Sequence, residues 1–221
     1  MSSKTLFIVL ILALIAGAAP KTISMVQASN DYATAENRIE EAIKDGRTVL
    51  DFRDLKHLTR IPENVRDIKG LWHLNAVSAK RLTDIHSLRG LPELKNLQLG
   101  DTRISDLKPL SGLKNLEVLD IRHTWVEDLQ PLTQIPRLRW LQMNALGVET
   151  LCPLNDVRFL DWLNLHKSYA KDGSQKCFSE LEDKVTELGG GASYKQSYIP
   201  GKPYLWKVSF GRFLEWLEWS S

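Results

Sequence analysis

Three consecutive stretches of the chain align without a gap at a period of 22 residues, and this repeat constrains the fold more than any other feature. They are LPELKNLQLGDTRISDLKPLSG from Leu91, LKNLEVLDIRHTWVEDLQPLTQ from Leu113 and IPRLRWLQMNALGVETLCPLND from Ile135. Apolar residues return to the same columns each time. Leu94, Leu116, Leu138 and Leu160 form one column, and Leu97, Leu119, Leu141 and Leu163 the next. Leu99, Ile121, Met143 and Leu165 form a third, followed by Ile104, Val126 and Val148, then Leu107, Leu129 and Leu151, then Leu110, Leu132 and Leu154. Pro109, Pro131 and Pro153 share one register. A fixed period of this length marks a solenoid, in which each unit buries its one apolar face by stacking on its neighbours. The L-x-L element alternates with period 2 and suits a short strand. The proline that follows lacks an N–H, so this segment cannot continue as a long helix.

These columns resemble the leucine-rich-repeat family, with its LxxLxLxx(N/T)xI pattern. The likeness is greatest to the 22-residue class with a D-L-x-P-L segment, as in bacterial internalins and phosphatase-regulator-type repeats. Thr102 and Thr124 stand where that family usually has Asn, and Leu146 and Lys80 depart from the pattern. The resemblance covers roughly residues 47–167. It implies an α/β architecture: a right-handed solenoid with short parallel strands on the concave face, tight turns or 3₁₀ segments outside, and helical caps at both ends. Leu71–Gly90 reads as a degraded repeat in which Val77, Leu82, Ile85 and Leu88 keep register. Thr48–Phe52 with Leu58–Pro62 reads as a longer unit before it. Six strands at roughly 4.8 Å spacing make a sheet about 25 Å wide.

Solenoid ends need caps, because an open end leaves apolar edges in water. Residues 29–46 fit an N-terminal cap helix, with Ala35, Ile39, Ala42 and Ile43 on one face and Gly46 at its end. Residues 168–188 fit a C-terminal cap, with Phe178, Leu181, Val185 and Leu188 at helical spacing. Residues 189–221 read as a Gly-hinged tail rich in Trp, and Ser209–Trp219 as a helix with Phe210, Phe213, Leu214 and Leu217 on one face.

Residues 1–28 read as a signal peptide. Lys4 supplies positive charge, Leu6–Ala16 is an apolar run too short to span a bilayer comfortably, and Val26-Gln27-Ala28 offers a small-x-small cleavage site. Gly17-Ala18-Ala19 is a second candidate. No later apolar stretch is long enough to span, so the expected location is a bacterial periplasm or the extracellular space. The chain has two cysteines, and export with an even count predicts a Cys152–Cys177 disulfide pinning the C-terminal cap to the last repeat.

Function is expected on the concave face. Residues one period apart become neighbours there, so the outward columns follow from the repeat. They are Leu74, Asn96, Val118, Trp140 and Trp162; Ala76, Gln98, Asp120, Gln142 and Asn164; Ser78, Gly100, Arg122, Asn144 and His166; and Ala79, Asp101, His123, Ala145 and Lys167. Trp140 and Trp162 fall side by side on adjacent strands, where indoles are typical hot-spot residues. The candidate binding set is Trp140, Trp162, Val118, Asp120, Gln142, Asn164, Arg122, His123 and His166, suited to a protein, peptide or glycan. An alternative has the Trp-rich tail folding over the indoles, or lying at a membrane surface as part of a structural, membrane-peripheral protein. Lys+Arg total 29 against 27 Asp+Glu, so no basic excess is available to neutralise nucleic-acid phosphates. Asp101 is expected beside His123, but no nucleophile accompanies that pair, and the histidines lack ligand spacing. The reading is therefore a non-enzymatic, monomeric binding module without cofactor or metal.

Overall fold

The computed structural model describes residues 20–165, 167–171, 177, 192–194 and 208–210. Its centre is a parallel sheet of three-residue strands: β1 (Val49–Asp51), β2 (His73–Asn75), β3 (Asn96–Gln98), β4 (Val118–Asp120), β5 (Trp140–Gln142) and β7 (Trp162–Asn164). Each strand buries its middle residue. Leu50, Leu74, Leu97, Leu119, Leu141 and Leu163 stand opposite one another in register and form the spine of the core. After every strand but β1 the chain turns through a residue in the left-handed region, at Ser78, Asp101, His123, Ala145 and Lys167. None is glycine, so each turn carries some backbone cost, of order 1 kcal/mol. Ladder bonds hold these turns in place, such as Asp101 N–H to Arg122 O and His123 N–H to Asn144 O, both 2.9 Å.

The outer side is built from short 3₁₀ segments, Glu63–Asp67, His86–Leu88, Lys108–Leu110, Gln130–Gln134 and Cys152–Asp156. The Asp of each D-L-x-P-L motif has a structural job here. Asp106 accepts from Lys108 N–H and Asp128 from Gln130 N–H, each at 2.8 Å, and Thr150 does the same for Cys152 at 3.2 Å. These side chains satisfy the first free N–H of each 3₁₀ turn. Two short strands on the flank, β6 (Gly147–Val148) and β8 (Tyr169–Ala170), pair in parallel.

The departure from Asn in the family pattern is resolved by hydroxyls. Thr102 donates to Leu99 O and Thr124 to Ile121 O, both at 2.7 Å and both buried. Leu146 has no hydroxyl for the corresponding Met143 carbonyl. Ser168, one repeat later, supplies it: its buried hydroxyl donates to Met143 O and accepts from Leu146 N–H at 3.1 Å. One serine thus completes the turn of the repeat before it.

The register differs from expectation in the second repeat. His73, not Leu74, stands opposite Asn96, a spacing of 23, and Val49 stands opposite His73 at 24. Ser78 accordingly shares its left-handed turn with Asp101 rather than aligning with Gly100. Leu74, Ala76 and Ala79, expected to point outward, are core residues, and Ala79 rather than Lys80 holds the Thr102 position. Leu82, Ile85 and Leu88 keep the 22-residue spacing to the next repeat, so the extra residue lies between Ala79 and Leu82. It sits outside the strand, where it shifts no side chain to the wrong face.

The N-terminal cap is a helix, α1 (Pro20–Asp45), which starts earlier than expected and runs through the anticipated cleavage site at Ala28. Ala35, Ile39 and Ala42 are buried as anticipated, whereas Ile43 is exposed. Arg38 joins α1 to the sheet edge, donating to Asp51 O at 2.8 Å and pairing with Asp54 at 2.6 Å. The guanidinium thereby occupies a carbonyl on the open side of β1. Gly46 ends the helix with φ +65°. At the other end β9 (Ala192–Tyr194) and β10 (Val208–Phe210) extend the sheet antiparallel, with Ser209 opposite Asn164. Ser209 and Phe210 are therefore strand residues, not the start of a helix. The rest of that segment, the cap helix at 178–188 and the Gly189–Gly191 hinge lie outside the described residues. Cys152 and Cys177 are joined by a disulfide with Cα atoms 4.9 Å apart, within the usual span of such bridges.

Ser168→Ala should lower stability by about 1–3 kcal/mol, because it leaves a buried carbonyl and a buried N–H without their partner. The exposed Ser105→Ala is the control and should stay within about 0.5 kcal/mol. Urea denaturation of both variants checks this. Equal, negligible effects would show that Ser168 does not repair the Leu146 turn.

Candidate functional site

The concave face is the outer surface of the short strands, and its columns run across them. The first holds Val49, His73, Asn96, Val118, Trp140 and Trp162, and the second Asp51, Asn75, Gln98, Asp120, Gln142 and Asn164. Because β5 and β7 pair in register, the indoles of Trp140 and Trp162 stack, with ring centroids 5.5 Å apart and planes 25° from parallel. Both are half-buried, and Trp162 also packs against the core. A cleft of about 150 Å³ opens beside them, lined by Gln98, Val118, Leu119, Asp120, Arg122, Trp140, Gln142 and Trp162.

Charge in the cleft centres on Asp120, whose side chain is only 9% exposed. Its carboxylate accepts from the Arg122 backbone N–H at 3.0 Å and pairs with the Arg122 guanidinium at 3.2 Å. The same guanidinium lies 3.7 Å from Asp101. Asp101 is thus turned to Arg122, and the ion pair imagined with His123 gives way to a three-member cluster. Gly100 makes room for it. A Cβ there would stand 2.9 Å from Arg122 Cγ and 3.0 Å from Asp120 Oδ2, closer than side chains tolerate. Burial pushes the Asp120 carboxyl above its ordinary value, against the opposing pull of Arg122. Two strands away, on β2, His73 is likewise desolvated, which favours its neutral form.

Six of the residues expected to bind converge on the cleft: Val118, Asp120, Arg122, Trp140, Gln142 and Trp162. Asn164 continues the amide row at the sheet's end, facing Ser209 on β10. His123 is exposed at a left-handed turn and does not line the cleft. His166 lies outside the described residues. Gln98 and Leu119 join the lining, and Gln98 was already visible as a member of the amide row. Val49, Asp51, His73 and Asn75 extend the concave face toward the N-terminus; a register that allowed one extra residue in the second repeat and two in the first finds them. The described lining holds amides, one ion pair and indoles, with no serine, cysteine, histidine or lysine. Amides can hydrogen-bond a ligand and indoles can stack on it.

The raised carboxyl has a consequence for stability. The folded chain holds the Asp120 proton more tightly than the unfolded chain does, so it binds more protons and folding weakens as pH rises from about 4. Asp120→Asn removes this dependence. Wild-type stability relative to the variant should therefore fall between acid and neutral pH in paired urea titrations. A difference that is flat, or rises, contradicts a desolvated Asp120.

Residues 92–134 match the family described as Leucine Rich repeats (2 copies). No curated protein matches the chain. Among solved structures, internalin C2 from Listeria monocytogenes strain 4b F2365 is 20% identical with a TM-score of 0.51, covering 66% of this chain and 77% of that one. An internalin of the same strain is 16% identical, with a TM-score of 0.39 over 58% of this chain and 53% of its own. A leucine-rich-repeat protein of Leptospira interrogans is 21% identical, with a TM-score of 0.47 over 59% of this chain and 37% of its own. The likeness to internalin C2 is one of fold. With its apolar columns stacked in register on a parallel sheet and two of its repeats inside the matched region, the chain carries leucine-rich repeats and has the leucine-rich-repeat fold.

Proposed function

We propose that the protein is an exported, non-enzymatic binding module that captures a protein or peptide on its concave face. The observation that carries this reading is the stacked pair Trp140 and Trp162, half-exposed over a cleft on a sheet whose other side is fully buried. Leucine-rich-repeat domains generally bind proteins. Paired aromatic side chains supply large contact area at little conformational cost, which makes them dominant contributors in interfaces. Gln98 and Gln142 beside them each offer a donor and an acceptor, enough to orient a polypeptide without fixing its sequence. Asp120 argues the same way: a carboxylate held in a partly dehydrated site works against the fold, and a binding role accounts for its presence.

Site-specific photo-crosslinking tests this in the intact protein. A benzophenone amino acid at Gln142 should give discrete adducts in cells, while the same group at Gln130, on the outer 3₁₀ segment, should not. Trp140→Ala should abolish the Gln142 adducts while the variant remains folded. Adducts from Gln130 alone would move the working surface to the other side of the solenoid.

Export is supported by the apolar leader Leu6–Ala16 and by the disulfide, since such bonds persist in oxidising compartments. No helix among the described residues is long and apolar enough to cross a membrane. Of the two candidate cleavage sites, the one near Ala18 keeps α1 whole. Cleavage after Ala28 would remove Ser24, whose hydroxyl accepts a hydrogen bond from Arg81 of the second repeat. Mass spectrometry of the exported protein should therefore find an N-terminus near Ala19. A chain starting at Ser29 would show that this contact is dispensable.

A further inference from the structure

The cleft is chemically lopsided. Two carboxylates, Asp101 and Asp120, share one guanidinium, that of Arg122. Arg122 is engaged on both sides, and the absent side chain at Gly100 is what allows it to lie there. It is therefore not free to receive an anion, and an anionic ligand would meet an excess of negative charge. A purely apolar ligand group fits the indoles but strips the remaining water from Asp120 and returns nothing to it. Removing solvent from a charge without supplying a partner is costly. A cation turns the same dehydration into a gain. It meets Asp120 as a counter-charge, the indole faces as π-systems, and the side-chain carbonyls of Gln98 and Gln142 as acceptors. Size points the same way. About 150 Å³ has room for a planar group of guanidinium size. A guanidinium is planar, stacks on indoles and presents a fork of donors to a carboxylate.

We propose that the concave cleft takes an arginine side chain of the protein partner, its guanidinium packed against the stacked Trp140–Trp162 pair and held by Asp120. This rests on the concave-face reading above and adds the chemical class of the group that the face selects. Arg122 then acts as a positioning residue. It fixes the Asp120 carboxylate through its backbone N–H and its side chain, leaving the rest of that carboxylate's capacity for the incoming group.

The test uses four capped pentapeptides, Gly-Gly-X-Gly-Gly, with X as arginine, citrulline, leucine or glutamate. Binding to the full-length exported protein is read from the indole N–H resonances of Trp140 and Trp162, each assigned by its Phe variant. Citrulline matches arginine in shape and lacks its charge, so it isolates the role of Asp120. The arginine peptide should bind about tenfold more tightly than the citrulline peptide. Asp120→Asn should erase that preference while the dispersion of the other amide signals shows the variant to be folded. If citrulline, leucine or glutamate peptides bind as tightly as arginine, or the preference survives Asp120→Asn, the arginine inference falls and the concave-face reading stands. If none of the four moves either indole signal, both fall.

Discussion

Register is the constraint on which the rest of the molecule depends. A unit of about 22 residues cannot bury its own apolar face, and stacking buries it only if each unit presents the same residues at the same height. The column from Leu50 to Leu163 is the physical expression of that requirement. The same register that aligns leucines inside aligns their outward neighbours, so the stacking of Trp140 on Trp162 comes with the core rather than from a separate arrangement. Irregularity is confined accordingly. The spacings of 24 and 23 fall at β1 and β2, and the extra residue of the second repeat lies in a turn. From β3 to β7 the spacing is uniform, and the cleft lies there.

Much of this was legible in the sequence because period and chemistry agree over three gapless repeats. The core columns, the strand positions from β3 onward and the adjacency of the indoles follow from counting in steps of 22, and the Cys152–Cys177 pair from an export signal and an even cysteine count. Counting failed where the count itself changed. One residue between Ala79 and Leu82 moved Leu74, Ala76 and Ala79 from the surface to the core and hid His73 and Asn75 from the concave face. Period alone also cannot say which of several charged neighbours pair. Asp101 is near both His123 and Arg122 along the sheet, and the reach of the longer guanidinium, with the space left by Gly100, settled it in favour of Arg122. Ser209 and Phe210 read as the start of a helix over Ser209–Trp219 because the apolar residues of that segment fit a helical face. An open sheet edge at β7, which only the fold reveals, offers unpaired backbone groups that local propensity does not weigh.

The two faces of the sheet treat departures from the pattern differently. On the inner side, Leu146 lacks the hydroxyl that its neighbours carry, and Ser168 of the next repeat supplies it, so the backbone groups of that turn are satisfied. On the concave side, the excess carboxylate at Asp120 is not repaired. Its one guanidinium is shared with Asp101, and burial still weighs against its charge. A sequence that mends a missing hydroxyl in its core, yet keeps a desolvated carboxylate beside two half-exposed indoles, has an electrostatic imbalance at a place that a partner could relieve. Folding alone would favour an amide at position 120, as Gln98 and Gln142 show on the strands either side. The carboxylate between them closes the turn to the Arg122 N–H, as Asp51 does for Arg53 and Asn75 for Val77, and the proposed cation would use the capacity that this turn leaves free.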